Sequence, residues 1–240
     1  PAYQRLTVCL TGVASPMDLI RDAARTPFNV GRGIALHDFS RAEVDELAPG
    51  FRDLDAAISV LLDEVWRWTG GQPYMTQKLC DALLTRGVTR GEEEAAVHGV
   101  VAERFFRQRS LAVAEPHLSH AARYFERVSS DPRAARMLAL YKRLLREGSL
   151  PADPKDAVQI DLRLTGLAVE RVSPRPDGGV VLAVRNPVYA QVFDEAWIRE
   201  REGLRPLTGL RERWELSGRA PRELPRGGAL RALLRELPDE

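Results

Sequence analysis

The spacing of apolar positions changes character along this chain, and the changes mark its organisation. Residues 6–10 (LTVCL) are a short apolar run with β-branched members, closed by Gly12. That composition predicts a buried strand of a parallel sheet. A short helical pattern over 17–25, a loop over 26–33 and a second short strand at 34–36 follow. From Ser40 the period becomes helical. Ser40 and Glu43 form a capping box, with Phe39 and Val44 at the staple positions, and Pro49-Gly50 stops that helix. Residues 53–68 place Leu54, Ile58, Leu61, Leu62 and Val65 on one face and end at Gly70-Gly71. A third helix opens with Pro73 and runs to Gly87; a fourth spans 92–109. Residues 40–110 therefore read as four helices with short connections.

Beyond residue 110 the grammar differs. A helix over 116–128 precedes three starts that share one device, a capping acid or amide followed by proline: Asp131-Pro132, Asp153-Pro154 and Asn186-Pro187. Between the second and third lie two β-branched runs, 167–172 and 180–184, joined by the turn-rich 173–179. Three helices, a hairpin and a helix are the order of a winged-helix domain. The last helix, 188–200, directs Tyr189, Val192, Phe193 and Trp197 inward, and 201–240 reads as an Arg-, Pro- and Gly-rich connector.

Composition narrows the class. The chain has 240 residues, 44% hydrophobic and 29% charged, and a net charge of +1. That suits a folded globular chain and supplies no global basic field for nucleic acid. No run approaches the ~18 apolar residues of a membrane span, and the first residues lack the pattern of a signal peptide. Two cysteines, Cys9 and Cys80, predict reduced core thiols and a cytoplasmic setting. A chain that starts with Pro1 is expected to be a piece of a longer polypeptide.

Several blocks carry a resemblance: residues 10–20 (LTGVASPMDLI), 26–32 (TPFNVGR), 68–80 (WTGGQPYMTQKLC), 162–167 (LRLTGL) and 184–193 (VRNPVYAQVF). Together they resemble the C-terminal part of the STAND branch of AAA-type P-loop ATPases, and within it the bacterial AAA-like domain. The resemblance implies a mainly α fold: residues 1–39 as terminal strands of a P-loop α/β core, 40–110 as a four-helix lid, 111–200 as a winged-helix domain with one β-hairpin, and 201–240 as connector. It implies a regulatory fragment of an ATP/ADP-controlled switch, with other domains of the same polypeptide and other proteins as partners. Gly71, Gln72 and Pro73 match the family's Gly-x-Pro element, which closes on the base. The same residues also suit a plain joint, glycine ending one helix and proline starting the next. Thr11, at a strand end, and Arg32, between two glycines, are the further nucleotide-binding candidates; their plain alternatives are a strand-terminal threonine and a solvated arginine.

The chain has no Gly-x-x-x-x-Gly-Lys-Ser/Thr, and no apolar strand ends in paired acids. Walker A and B are missing, so ATP/ADP with magnesium is expected in the intact protein, and neither catalysis nor a cofactor is expected for this fragment alone. His117 and His120 lie three apart without a completing ligand set. Glu92, Glu93 and Glu94 read as a solvated helix start. Residues 154–165, in the recognition-helix position, balance Lys155 and Arg163 with Asp156 and Asp161, which argues against DNA. The two other classes to weigh are a winged-helix DNA-binding regulator and a helical protein-interaction module without ligand.

Overall fold

The computed structural model describes residues 36–106, 115–126, 131–173 and 178–203, together with Ile34 and Gly218. The strand expected at 6–10, Thr11, Arg32 and nearly all of the 201–240 connector lie outside the described residues. Ile34 and Leu36, expected in a second strand, belong to none. The chain divides into compact units Pro1–His37 and Asp38–Glu240; the architecture below is that of the second.

Its first helix, α1 (Arg41–Asp45), is fixed by the capping box: Ser40 Oγ accepts from the Glu43 amide at 3.2 Å, and Glu43 accepts from the Ser40 amide at 2.7 Å. Pro49 opens a 3-10 turn, Ala48–Phe51, whose Phe51 is buried. Helix α2 (Ile58–Thr69) starts five residues later than the apolar pattern predicts. No local side chain caps it; instead the buried Glu93 accepts from the Ala57 amide at 2.7 Å. Glu93 is thus a long-range cap, and the expectation of a wholly solvated Glu92–Glu94 start is corrected.

Helices α3 (Pro73–Arg86) and α4 (Glu93–Val101) follow. Where the pattern continues one helix to residue 109, α4 widens into a π-helical turn, Ala102–Phe106, which rotates Phe105 into the core. Leu61, Leu62, Val65, Met75, Leu79, Leu83, Val97 and Val101 fill the space between these helices.

Helix α5 (Pro116–Arg123) leads to α6 (Pro132–Glu147), capped by Asp131 as expected. Asp153 does not cap the next helix. It closes a turn by accepting from the Lys155 amide at 2.8 Å, and Asp156 caps α7 (Ala157–Leu164) by accepting from the Val158 and Gln159 amides. A short strand that hydrophobic alternation does not reveal, β1 (Ser149–Pro151), pairs with the hairpin β2 (Ala168–Val172) and β3 (Val180–Val184) in the antiparallel order β1-β3-β2. Leu150 faces Leu182, and Val169 faces Ala183. The expected last helix is two: α8 (Pro187–Val192), capped by Asn186, and α9 (Glu195–Gly203), which Asp194 starts by accepting from the Trp197 amide at 2.8 Å.

The described residues are therefore mainly helical with one small three-stranded antiparallel sheet; from α6 onward the order is helix, strand, helix, hairpin and two helices, with β1 set between α6 and α7 where the sequence predicts helices in succession. One contiguous core runs from Val44 to Ile198. It joins the two halves because α8 packs on α2 and on the π turn. No helix among the described residues is long and apolar enough to cross a membrane.

Candidate functional site

The site is the joint between α2 and α3. Thr69, fully buried at the end of α2, hydrogen-bonds the Val65 carbonyl and Thr76 Oγ1, both at 2.9 Å, and accepts from the Gly71 amide at 3.2 Å. Gly70 (φ +59°) and Gly71 (φ +78°) then reverse the chain in a backbone region that L side chains disfavour. Gln72 is buried, and its side chain accepts from the Met75 amide at 2.6 Å as the cap of α3. Pro73 takes the first helical position and stays half-buried.

Two other segments close on this joint. The first is the strap Asp38-Phe39. The Phe39 amide donates to the Gly71 carbonyl at 2.7 Å, and Trp66 Nε1 donates to the Phe39 carbonyl at 3.2 Å. A Cβ on Gly71 would lie 1.9 Å from the Phe39 oxygen. The second is the corner between β3 and α8. Asn186 Nδ2 donates to the Thr69 carbonyl at 2.7 Å while its Oδ1 accepts from the Tyr189 amide at 3.0 Å. Arg185 Nη2 meets Asp38 Oδ1 at 2.7 Å, and Arg171 Nη2 donates to the Arg185 carbonyl at 2.5 Å. A Cβ on Gly70 would come within 2.9 Å of Arg171 Nη2 and 3.1 Å of the Arg185 carbonyl.

At the mouth, Tyr74 is 36% exposed. Its ring stands 4.8 Å from that of His117, and Lys78 Nζ lies 5.4 Å from its centroid. Lys78 also pairs with Glu115, which accepts from the Tyr74 hydroxyl at 3.2 Å. Burial works against the Lys78 charge, but hydrogen bonds to Glu115 and Tyr74 outweigh it and raise its pKa. His117 is held below the ordinary histidine value, first by burial and then by the charge of Arg185. Its ring packs on Tyr74, while His120 packs on Tyr124 at 5.2 Å. Among the described residues no three His, Cys, Asp or Glu side chains gather as metal ligands would. Burial pushes the Cys80 thiol up to about 11, which leaves it a poor nucleophile. A separate apolar cavity of about 360 Å³ is lined by Phe105, Phe106, Leu118, Phe193 and Trp197. Its wall reaches Phe106, where this stretch of described chain ends.

Of the residues singled out by sequence, Gly71, Gln72 and Pro73 are adjacent in the joint, while Thr11 and Arg32 lie outside the described residues. Gly71 is required by the strap and Gln72 by the helix cap, so Pro73 is the member of the trio with free surface. Sequence reasoning missed Asp38, Thr69 and Arg185, and saw in Asn186 only a cap. Asn186 did carry a signal: a capping residue needs only its oxygen, so its amide hydrogens required an acceptor somewhere.

No family model matches the chain, and no solved structure matches it. It is similar to an uncharacterized WD repeat-containing protein of Synechocystis sp., with 34% identity over 244 aligned positions. The match takes in 97% of this chain and 19% of that protein, so the chain spans about a fifth of the length of this relative.

Proposed function

We propose that this chain is a regulatory module of a larger multidomain protein: the lid and winged helix of a nucleotide-controlled STAND-type switch, working on neighbouring domains and protein partners in a cytoplasmic setting. The observation that carries it is the joint itself. Bundle, strap and corner meet at Gly70–Pro73 through buried hydrogen bonds, a place where a small displacement must be passed on. The relative supports the multidomain setting, since this segment is a minor part of it. The WD repeats in that protein's name are not formed by the described residues here, whose one sheet has three strands where a propeller blade has four.

ATP or ADP belongs to the finer part of the proposal. Pro73, half-buried beside the exposed Tyr74 ring, fits the face or edge of a purine. Thr11 and Arg32 would serve the phosphates, and the magnesium site would lie in the intact protein. The DNA alternative is weaker because the charges on α7 are engaged internally: Asp161 with Arg133, and Arg163 with Glu170.

The test is nucleotide titration of the intact protein with and without Pro73→Ala, with the 240-residue chain as control. Loss of one apolar face should cost ~1–2 kcal/mol, by analogy with base stacking, or roughly 5–30-fold in affinity. The isolated chain should bind neither ATP nor ADP measurably. Equal affinity in the two intact proteins would return Pro73 to a capping role.

A further inference from the structure

We propose that Arg185 and Asn186, at the corner between β3 and α8, lock the strap Asp38-Phe39 onto the glycine joint, so that moving the strap and moving the hairpin are one event. This coupling goes beyond the nucleotide reading and requires no nucleotide.

Position along the chain is the first reason. Asp38 is the first residue of the compact unit Asp38–Glu240, the point at which the chain enters it. Its carboxylate is held by Arg185, 147 residues away in sequence. The next residue, Phe39, donates its amide to Gly71. Asn186, directly after Arg185, holds the Thr69 carbonyl two residues before Gly71. Strap, joint and corner thus form a closed circuit of three hydrogen bonds: Asp38–Arg185, Phe39–Gly71 and Thr69–Asn186.

Sterics make the circuit stiff. The backbone at Gly71 is too close to the Phe39 carbonyl to admit even a methyl group, and a Cβ on Gly70 would press on the Arg185 carbonyl at 3.1 Å and on Asn186 Cβ at 3.2 Å. The strap therefore has no slack against the joint, and the corner has only a few tenths of an ångström. Close-packed contacts of this kind pass on displacements instead of absorbing them.

Satisfaction of polar groups makes the circuit releasable. Arg185 Nε is buried without a hydrogen-bond partner while Nη2 holds Asp38. A guanidinium with one N–H unpaired forfeits part of its hydration in the locked state and recovers it on opening. The lock is therefore weaker than its 2.7 Å contact suggests.

The experiment is amide hydrogen exchange by NMR on the whole 240-residue chain, comparing Asp38→Asn, Arg185→Gln and the double variant. Three amides report the three segments: Phe39 (to the Gly71 carbonyl), Gly71 (to Thr69 Oγ1) and Tyr189 (to Asn186 Oδ1). Gly87 and Gly148, bonded within the ends of α3 and α6, are controls. Each single variant should speed exchange at all three reporters by one common factor, roughly 10–100-fold for the loss of a charged hydrogen bond, and leave the controls unchanged. The double variant should be no faster than the singles. A response at Phe39 without one at Tyr189, or additive effects in the double variant, would overturn the lock. Should Arg185→Gln fail to fold, Asp38→Asn alone decides: faster exchange at Phe39 without the same factor at both Gly71 and Tyr189 overturns the lock.

Discussion

Replacing Gly71 by alanine separates two reasons for a glycine. At φ +78° any L side chain meets the left-handed penalty, about 1–2 kcal/mol. The new Cβ would also stand 1.9 Å from the Phe39 carbonyl oxygen, so the strap must leave. That breaks the Phe39–Gly71 hydrogen bond, about 0.5–1.5 kcal/mol net. Gly71→Ala should therefore destabilise by about 2–3 kcal/mol, a fall in melting temperature of roughly 5–10 °C for a chain of this size. Gly91 is the internal control: its φ is +88°, and a methyl group there would meet nothing within 4 Å, so Gly91→Ala should show the backbone penalty alone. Parallel urea titrations of the two variants measure the difference. Equal losses within about 0.5 kcal/mol would mean that the strap does not press on the joint, and the packing argument for the site would fail.

Asn186→Ala should cost about 2–4 kcal/mol, because it removes a helix cap and strands the Thr69 carbonyl. Asn186→Asp, which keeps the capping oxygen but turns a buried carboxylate oxygen toward the Thr69 carbonyl, should not recover that loss in the same denaturation assay. Backbone amides, first that of Ala57, hold the Glu93 pKa below its ordinary 4.5. Its stabilising contribution is then present above the ordinary glutamate range and lost as pH falls through the lowered value. Melting temperature should drop on acidification, and Glu93→Gln should flatten that part of the pH profile. Cys80, buried with its thiol pushed up to about 11, should resist alkylation at mildly alkaline pH in the native chain and react readily in denaturant; fast native labelling would contradict its burial.

The elements were legible where local chemistry specifies them. Ser40 and Glu43, Asp131, Asn186 and the Val-rich hairpin each act on neighbours a few residues away, and each forms as the sequence predicts. The misses share a different cause. The start of α2 depends on Glu93, thirty-six residues on. The Asp-Pro pattern places the cap of α7 on Asp153, yet Asp156 lies one turn nearer the buried Leu162 and is the one in register. Strand β1 has three residues, too few to show alternation, and exists because β3 offers a free edge. Within the site, Gly70–Pro73 was visible as a joint, while its two clamps were not: Asp38 and Arg185 are ordinary charged residues until the fold brings them together.

The circuit at the joint also sets an order of assembly during synthesis. Thr69, Gly71 and Phe39 leave the ribosome more than a hundred residues before Arg185 and Asn186. Over that interval α2 and α3 can form their local turns, but the Thr69 carbonyl lacks its amide partner and α2 lacks the covering α8. The nascent bundle thus carries an unfinished, partly apolar face that only the last third of the unit can close. Long-range closure of this kind is slow relative to helix formation, and exposed apolar surface is where incomplete chains associate. A chain cut before residue 185 should then be prone to aggregate even though every helix of the bundle is present in it.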